Sequence, residues 1–215
     1  MNYPSFFDEV GKITVYDPLA EFLGAAENGI LSYTYADAVK LAGHSCPTVA
    51  GAYLMNLKAL ASLYDGELPQ RGGIRVEFRN ELLAGVTGVI ANVTSLITGA
   101  THNSGFKGIA GTFDRRNLLF FNVALGAEIR FQRIDTGASI GVSYNPDVVP
   151  SSPAVSGLIR KMLSDTVTPE ERRRFAALWQ DRVKRILVDQ VDDPRLIILT
   201  GKTAPERTPD AGPSR

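Results

Sequence analysis

The chain of 215 residues has very few of the side chains that bind soft metals or form cross-links: one cysteine and two histidines. A single cysteine cannot form a disulfide within the chain. This is consistent with a reducing compartment, and we expect a cytoplasmic protein. Acidic and basic residues balance at 23 each. Because a general nucleic-acid binder needs a surplus of positive charge, we expect no nucleic-acid partner.

Long apolar segments are also absent. No stretch reaches the roughly 18 consecutive apolar residues that indicate a membrane-spanning helix. Residues 1–15 have neither a positively charged start nor a long apolar run. We therefore expect no membrane segment and no signal peptide. The composition is typical of a globular protein that buries a core without a disulfide or structural metal.

The chain contains helical and strand patterns that are partly segregated. Apolar spacing and end signals predict helices over 35–43, 47–64, 85–99, 153–164 and 168–190. Alternation and turn signals predict a hairpin over 13–35 turning at Asn28-Gly29, a strand over 72–81, two strands over 106–125, a hairpin over 127–145 and a strand over 195–200. This order favours an α+β fold, with a mixed or antiparallel sheet packed with helices and additional C-terminal helices.

The domain organisation is suggested by a change in composition. A connection rich in proline and serine, 146–153, separates the mixed region from the last helices. We therefore predict an α+β domain over 1–150 and a helical extension packed on it over 151–200. The polar end, 201–215, has the composition of a disordered tail.

The segment His44-Ser45-Cys46-Pro47 holds the only cysteine and one of the two histidines. Pro47 suits the first turn of a helix, which makes Cys46 the N-cap residue. The positive end of the helix dipole favours a thiolate there, the form that binds metals or attacks electrophiles. In an extended link, residues two apart point the same way, so His44 faces the same side as Cys46. Sulfur plus imidazole suits zinc, copper, nickel or iron, and zinc is the first choice.

The second histidine, His102, follows the predicted helix 85–99 in a polar loop. If this loop approaches the 44–46 turn, His44, Cys46 and His102 form a set of three metal ligands with a fourth position open. Such a set is typical of a reactive metal centre rather than a structural one. A ligating histidine usually donates its other N–H to a partner, for which Tyr53 and Asn103 are candidates.

Two segments resemble the FmdE-like family, which takes its name from a component of formylmethanofuran dehydrogenase. GHSCPTVAGAYLM is similar to that family's Gly-His-x-Cys-Pro-x-x-x-x-Gly segment, and NVTSLITGATHNSG to its helix followed by Thr-Gly-x-Thr. The resemblance covers about residues 30–125. It implies an α+β domain that often forms homodimers and carries a transition metal, commonly zinc, with His44 and Cys46 matching the motif.

The chain also departs from that family. Members often have a cysteine inside the second motif, where this chain has Ala100, and many end in a cysteine-rich zinc ribbon that is missing here. These departures argue against thiol-pair redox chemistry. The small-molecule substrate is not indicated by the resemblance.

Two other functions remain open from the sequence. The chain could be a metal-independent enzyme with Cys46 as nucleophile and a histidine as base. It could also be an accessory subunit of a redox complex that docks through the small residues of 85–99. A metal centre could equally serve catalysis, transport or sensing. The acidic pairs Asp17/Glu21 and Glu77/Glu81 are expected to be solvated surface.

Overall fold

The structure, a computed structural model, describes residues 3–204 and has the α+β fold that the sequence predicts. The strands are β1 (Ile13–Tyr16), β2 (Ile30–Tyr33), β3 (Ile74–Phe78), β4 (Leu119–Phe120), β5 (Ile129–Arg133), β6 (Ser139–Tyr144) and β7 (Ile197–Thr200). The α-helices are α1 (Pro18–Phe22), α2 (Tyr35–Ala42), α3 (Pro47–Tyr64), α4 (Thr87–Thr98), α5 (Ala154–Leu163) and α6 (Pro169–Lys184). Short 3₁₀ turns cover Ser5–Glu9, Glu27–Gly29 and Pro146–Val148, and a π-helical turn, Arg185–Asp189, extends α6.

The main sheet has five strands in the order β4-β3-β5-β6-β7. All its pairs are antiparallel except β3 with β4. A separate antiparallel pair joins β1 to β2. Alternation in β3 buries Ile74, Val76 and Phe78 on the side that faces the core.

Helix α3 is the centre of the core. It contacts β5, β6 and β7 of the sheet, and also α2, α4 and the π-helical turn. Because neighbours surround it, α3 is apolar on every side rather than along one stripe. Asn56 of α3 is buried and donates from Nδ2 to Thr94 Oγ1 of α4, at 3.0 Å. This bond fixes the two helices side by side.

Helix ends follow the predicted signals. Gly43 and Gly99 end α2 and α4 with left-handed φ angles of 77° and 72°. Cys46 is the N-cap of α3, with Pro47 in its first turn. Thr168 caps α6 in a reciprocal capping box with Glu171. The predicted start of α3 at Cys46-Pro47 is confirmed.

Two turn predictions are wrong in detail. Strands β1 and β2 pair, but Asn28-Gly29 does not join them directly, because Asp17 caps α1 and Pro18 begins it between the strands. The predicted first strand of 106–125 is also missing. Positive φ angles at Ala110, Phe113 and Asn117 break that segment, and within it only Leu119–Phe120 form a strand, β4.

The segment after residue 150 supplies more than helices. Strand β7 pairs with β6 and completes the main sheet, and Ile186 and Leu187 of the π-helical turn are buried in the same core cluster as α3. The predicted disordered tail lies, from residue 205 onward, outside the described residues. Within 3–204, no helix has the length and apolar character needed to cross a membrane.

Two carboxylates expected at the surface are buried instead. Asp17 is 2% exposed and accepts hydrogen bonds from Arg115 Nη2 at 2.7 Å and Arg71 Nη1 at 2.9 Å. Glu77 is 4% exposed and pairs with Arg75 and Arg130. The expectation of a solvated surface was wrong because arginines distant in sequence, such as Arg115 for Asp17 and Arg130 for Glu77, pair with these carboxylates.

Candidate functional site

A cleft of about 680 Å³ opens where α3 and α4 begin. Residues Cys46 to Thr48 of α3 and Val86 and Ile90 of α4 contribute to its wall. Because both helices begin at the cleft, the positive ends of their dipoles lie there. His44, Glu128, Tyr144, Pro146, Trp179 and Arg182 complete the lining. The volume is typical of a small-molecule site.

Cys46 is placed by the start of α3. Its backbone is extended, with φ −150° and ψ 167°, and the side chain accepts a hydrogen bond from the Val49 N–H, with 3.5 Å between nitrogen and Sγ. The residue is 8% exposed. The sulfur is therefore held at a helix N-terminus and lines the cleft, as the sequence predicts.

His44 lies two residues earlier and lines the same cleft. The side chain is exposed, and Nδ1 lies 2.9 Å from the carbonyl oxygen of Ala42. Since a carbonyl only accepts, Nδ1 carries the proton, and in the neutral ring Nε2 keeps its lone pair. This arrangement is common in histidines that bind metals through Nε2.

Ser45, between the two ligand candidates, is held from two sides. Its carbonyl oxygen accepts from Trp179 Nε1 at 2.9 Å and from Gln180 Nε2 at 3.3 Å. Its hydroxyl lies 3.0 Å from both Gln180 Oε1 and the hydroxyl of buried Tyr35. Helices α2 and α6 thus fix the backbone that carries His44 and Cys46.

The opposite wall of the cleft comes from the sheet. Glu128 precedes β5 and accepts from the Tyr144 N–H at 3.3 Å. Burial raises the pKa of the Glu128 carboxyl group, while the hydrogen bond from the Tyr144 N–H and the charge of Arg79 lower it by less. Glu128 therefore accepts a proton more readily than an exposed glutamate and is a candidate proton carrier in the cleft that Cys46 also lines.

Tyr144, at the end of β6, places its ring against Gly51 of α3. A Cβ atom at Gly51 would lie 2.4 Å from two carbons of this ring, so only glycine allows the approach. Burial raises the pKa of the Tyr144 hydroxyl well above its ordinary value. The hydroxyl is enclosed and has no hydrogen-bond partner in the described part of the chain.

His102 is not among the residues that line this cleft. It is exposed in the loop before β4, and its ring contacts that of Phe121, with 5.7 Å between ring centres. Asn103 beside it is exposed. The Tyr53 hydroxyl lies 2.8 Å from Gly11 O and 2.9 Å from Tyr33 O, so it belongs to the core.

The donors at the cleft suit a transition metal in kind, because Cys46 and His44 offer sulfur and imidazole nitrogen. Within residues 3–204, no group of three or more His, Cys, Asp and Glu side chains is arranged to hold a metal ion. Cys46 and His44 are candidate donors among the residues that line this cleft. Other coordination positions would be filled by water or a bound molecule.

The fold and site define an α+β protein with a thiol-containing small-molecule cleft. Comparison with models of known protein families finds no match. Comparison with curated proteins finds no match either.

Sequence reasoning does not identify four residues of the cleft as site residues: Glu128, Tyr144, Trp179 and Arg182. The pattern places Trp179 on the apolar stripe of its helix, and the other three carry no motif. The chain's single tryptophan is the one available signal, since Trp and Tyr combine an apolar body with a polar tip that suits binding sites.

Proposed function

We propose that the protein binds a transition metal ion, zinc in the first instance, through Cys46 and His44 at the edge of a small-molecule cleft. The observation that carries this proposal is that the two residues line one cleft while His44 Nδ1 is bound to the Ala42 carbonyl. That bond orients the ring and leaves the lone pair of Nε2 free to bind a metal ion. A metal bound there would polarise a bound molecule or lower the pKa of a coordinated water.

The chain's own residues prepare the site. The Val49 N–H donates to Cys46 Sγ and holds the sulfur at the start of α3. Trp179 and Gln180 hold the intervening Ser45 carbonyl and thereby fix the spacing of the two donors. Glu128 supplies a carboxyl group that can take up or release a proton in the same cleft.

The likeness to the FmdE-like family belongs to the same proposal. It is supported by the order Gly43-His44-Ser45-Cys46-Pro47 at the start of a helix. The proposal includes a homodimer, which the resemblance implies. It also places the protein in the cytoplasm, where a single thiol stays reduced. Net charge zero supports a partner other than nucleic acid.

Metal content of untagged protein tests the proposal. We expect about one metal ion per chain by mass spectrometry, and loss of most of it in Cys46→Ser and His44→Gln. His102→Gln is the matched control because it removes the only other imidazole. Retention of metal in His102→Gln supports the two-donor site, and loss there supports the three-ligand prediction. Unchanged metal in Cys46→Ser would overturn the proposal.

A second candidate is a metal-independent enzyme with Cys46 as nucleophile. It is favoured by the position of Cys46 at the start of α3, in a cleft that His44 and Glu128 also line. The measurement is the rate of iodoacetamide alkylation at pH 7 with a chelator present. A rate well above that of a cysteine-containing peptide, lowered by Glu128→Gln or His44→Gln, supports this candidate. A rate equal to the peptide's rejects it.

A further inference from the structure

Arg182 brings an unneutralised positive charge to the Cys46 cleft. Its Nε donates to the Val149 carbonyl at 2.7 Å and its Nη2 to the Pro146 carbonyl at 3.2 Å. No carboxylate in residues 3–204 forms an ion pair with it. A guanidinium has five N–H donors. Because the two carbonyls use two of them, three remain for another acceptor.

The surroundings strengthen the preference for an anion. The positive ends of the α3 and α4 dipoles lie at the same cleft. The carbonyl bonds hold the Arg182 guanidinium in place before anything binds. A preorganised guanidinium recognises a planar carboxylate with two parallel hydrogen bonds.

The rest of the wall is suited to an apolar body. Trp179 and Tyr144 supply aromatic surface, and Val86, Ile90 and Pro47 supply aliphatic surface. The Trp179 N–H is already bound to Ser45. The Tyr144 hydroxyl is enclosed, so the ring is the part of this residue that contributes to the wall.

We propose that this cleft binds a small organic carboxylate with an apolar, preferably aromatic, body, and that Arg182 binds the carboxylate group. A singly charged carboxylate matches the single arginine, whereas a doubly charged phosphate would sit with one cation beside Glu128. The inference rests on the proposed function in taking this cleft as the functional site. It needs no metal, however, because the binding group is Arg182.

The test uses metal-free full-length protein, with benzoate as probe and benzamide as its neutral analogue. Trp179 is the only tryptophan, so its fluorescence reports on the cleft, and calorimetry gives the affinity. We expect benzoate to bind at least about ten-fold more tightly than benzamide, because a charge-assisted hydrogen bond to Arg182 accounts for a difference in affinity of about that size. Equal affinities, or no binding of benzoate, would overturn the inference. Tighter binding of phenyl phosphate than of benzoate would overturn the assignment to a carboxylate.

Variants at Arg182 separate recognition from structure. Arg182→Gln should abolish the preference for benzoate, while Arg182→Lys, which keeps the charge but changes the carbonyl bonds, should keep part of it. Arg172→Gln is the matched control, because Arg172 is exposed on the same helix and does not line the cleft. If Arg182→Gln keeps the full preference, the guanidinium does not bind the carboxylate.

Wild-type protein with and without added zinc distinguishes this inference from the proposed metal site. The preference for benzoate over benzamide should be present in the metal-free protein. Metal binding without a benzoate preference would remove the carboxylate inference alone. A benzoate preference in a protein that binds no metal would remove the metal proposal alone.

Discussion

Trp179 donates its indole N–H to the backbone carbonyl of Ser45, with 2.9 Å between the two atoms, across 134 positions of the chain. Ser45 lies between His44 and Cys46, so helix α6 directly holds the segment that carries both candidate donors. The C-terminal helices therefore take part in the cleft as well as in the core. This relationship makes the tryptophan a positioning residue for the thiol.

Trp179→Phe removes this hydrogen bond and keeps an aromatic ring. We expect a loss of about 1 kcal/mol in the free energy of unfolding. We also expect faster alkylation of Cys46, because the turn before α3 is held less firmly. Alkylation by iodoacetamide followed by mass spectrometry measures the rate. Phe175→Leu is the control, since Phe175 contacts the Trp179 ring on the same helix but forms no bond to Ser45. Equal alkylation rates in wild type and Trp179→Phe would contradict the positioning role.

Gly51 of α3 permits the close approach of Tyr144. Glycine to alanine inside a helix normally stabilises by about 0.5–1 kcal/mol. At Gly51 the added Cβ would lie 2.4 Å from the Tyr144 ring, so we expect Gly51→Ala to cost about 1–3 kcal/mol instead. Chemical denaturation measures the difference.

A second glycine provides the comparison. Gly157 lies inside α5, and no atom lies within 4 Å of a Cβ built there. Gly157→Ala should therefore stabilise the protein. In a Tyr144→Leu background, Gly51→Ala should cost less than in wild type. If the cost is unchanged in that background, Tyr144 is not the source of the clash.

The local features of the site were predictable because they depend on neighbours in sequence. Pro47 after Cys46 determines a helix start, and His44 two residues earlier follows from an extended link. The cleft residues that come from other helices and strands were not predictable in this way. Glu128, Tyr144 and Arg182 meet Cys46 only because β5, β6 and α6 pack around the beginning of α3.

The fold shows the same division. The strand predicted over 72–81 and the helix start at Cys46-Pro47 depend on local signals and were confirmed. The first strand predicted in 106–125 does not form, because Ala110 and Phe113 as well as Gly108 and Gly111 have left-handed backbone angles. Residues other than glycine rarely adopt that conformation, so no local signal indicated it.

Replacing tyrosine by phenylalanine should have different effects on stability at Tyr144 and at Tyr53. The Tyr144 hydroxyl is enclosed without a partner in the described chain, whereas the Tyr53 hydroxyl lies within 2.9 Å of two carbonyl oxygens. Without ligand, Tyr144→Phe should leave stability unchanged or raise it by about 1 kcal/mol, because an unsatisfied polar group is removed. Tyr53→Phe should lower stability by about 1–2 kcal/mol. Urea denaturation compares them, and an equal loss in both variants would mean that Tyr144 has a partner.

Asp17 joins three separate segments through its carboxylate. It caps α1 and accepts from Arg115 and Arg71, and Arg115 is itself only 5% exposed. Asp17→Asn leaves the charge of Arg115 buried without its counter-ion, so we expect a loss of about 3–5 kcal/mol in the free energy of unfolding. Asp181→Asn is the control, because Asp181 pairs with Arg185 at the surface and should cost under about 0.5 kcal/mol.

The pH dependence of that loss identifies the carboxylate charge as its cause. Burial alone would raise the pKa of Asp17, but the hydrogen bond from Arg71 and the charge of Arg115 outweigh burial and lower it. A lowered pKa in the folded state stabilises the protein above the unfolded value of about 3.9, and this contribution disappears as the pH falls through the folded pKa. The difference in stability between wild type and Asp17→Asn should therefore be constant from pH 5 to pH 7 (about the range above both pKa values) and shrink below about pH 4. Urea denaturation across this range measures it. A difference that stays constant down to pH 2.5, well below the ordinary value of about 3.9, would show that shape rather than charge holds the three segments together.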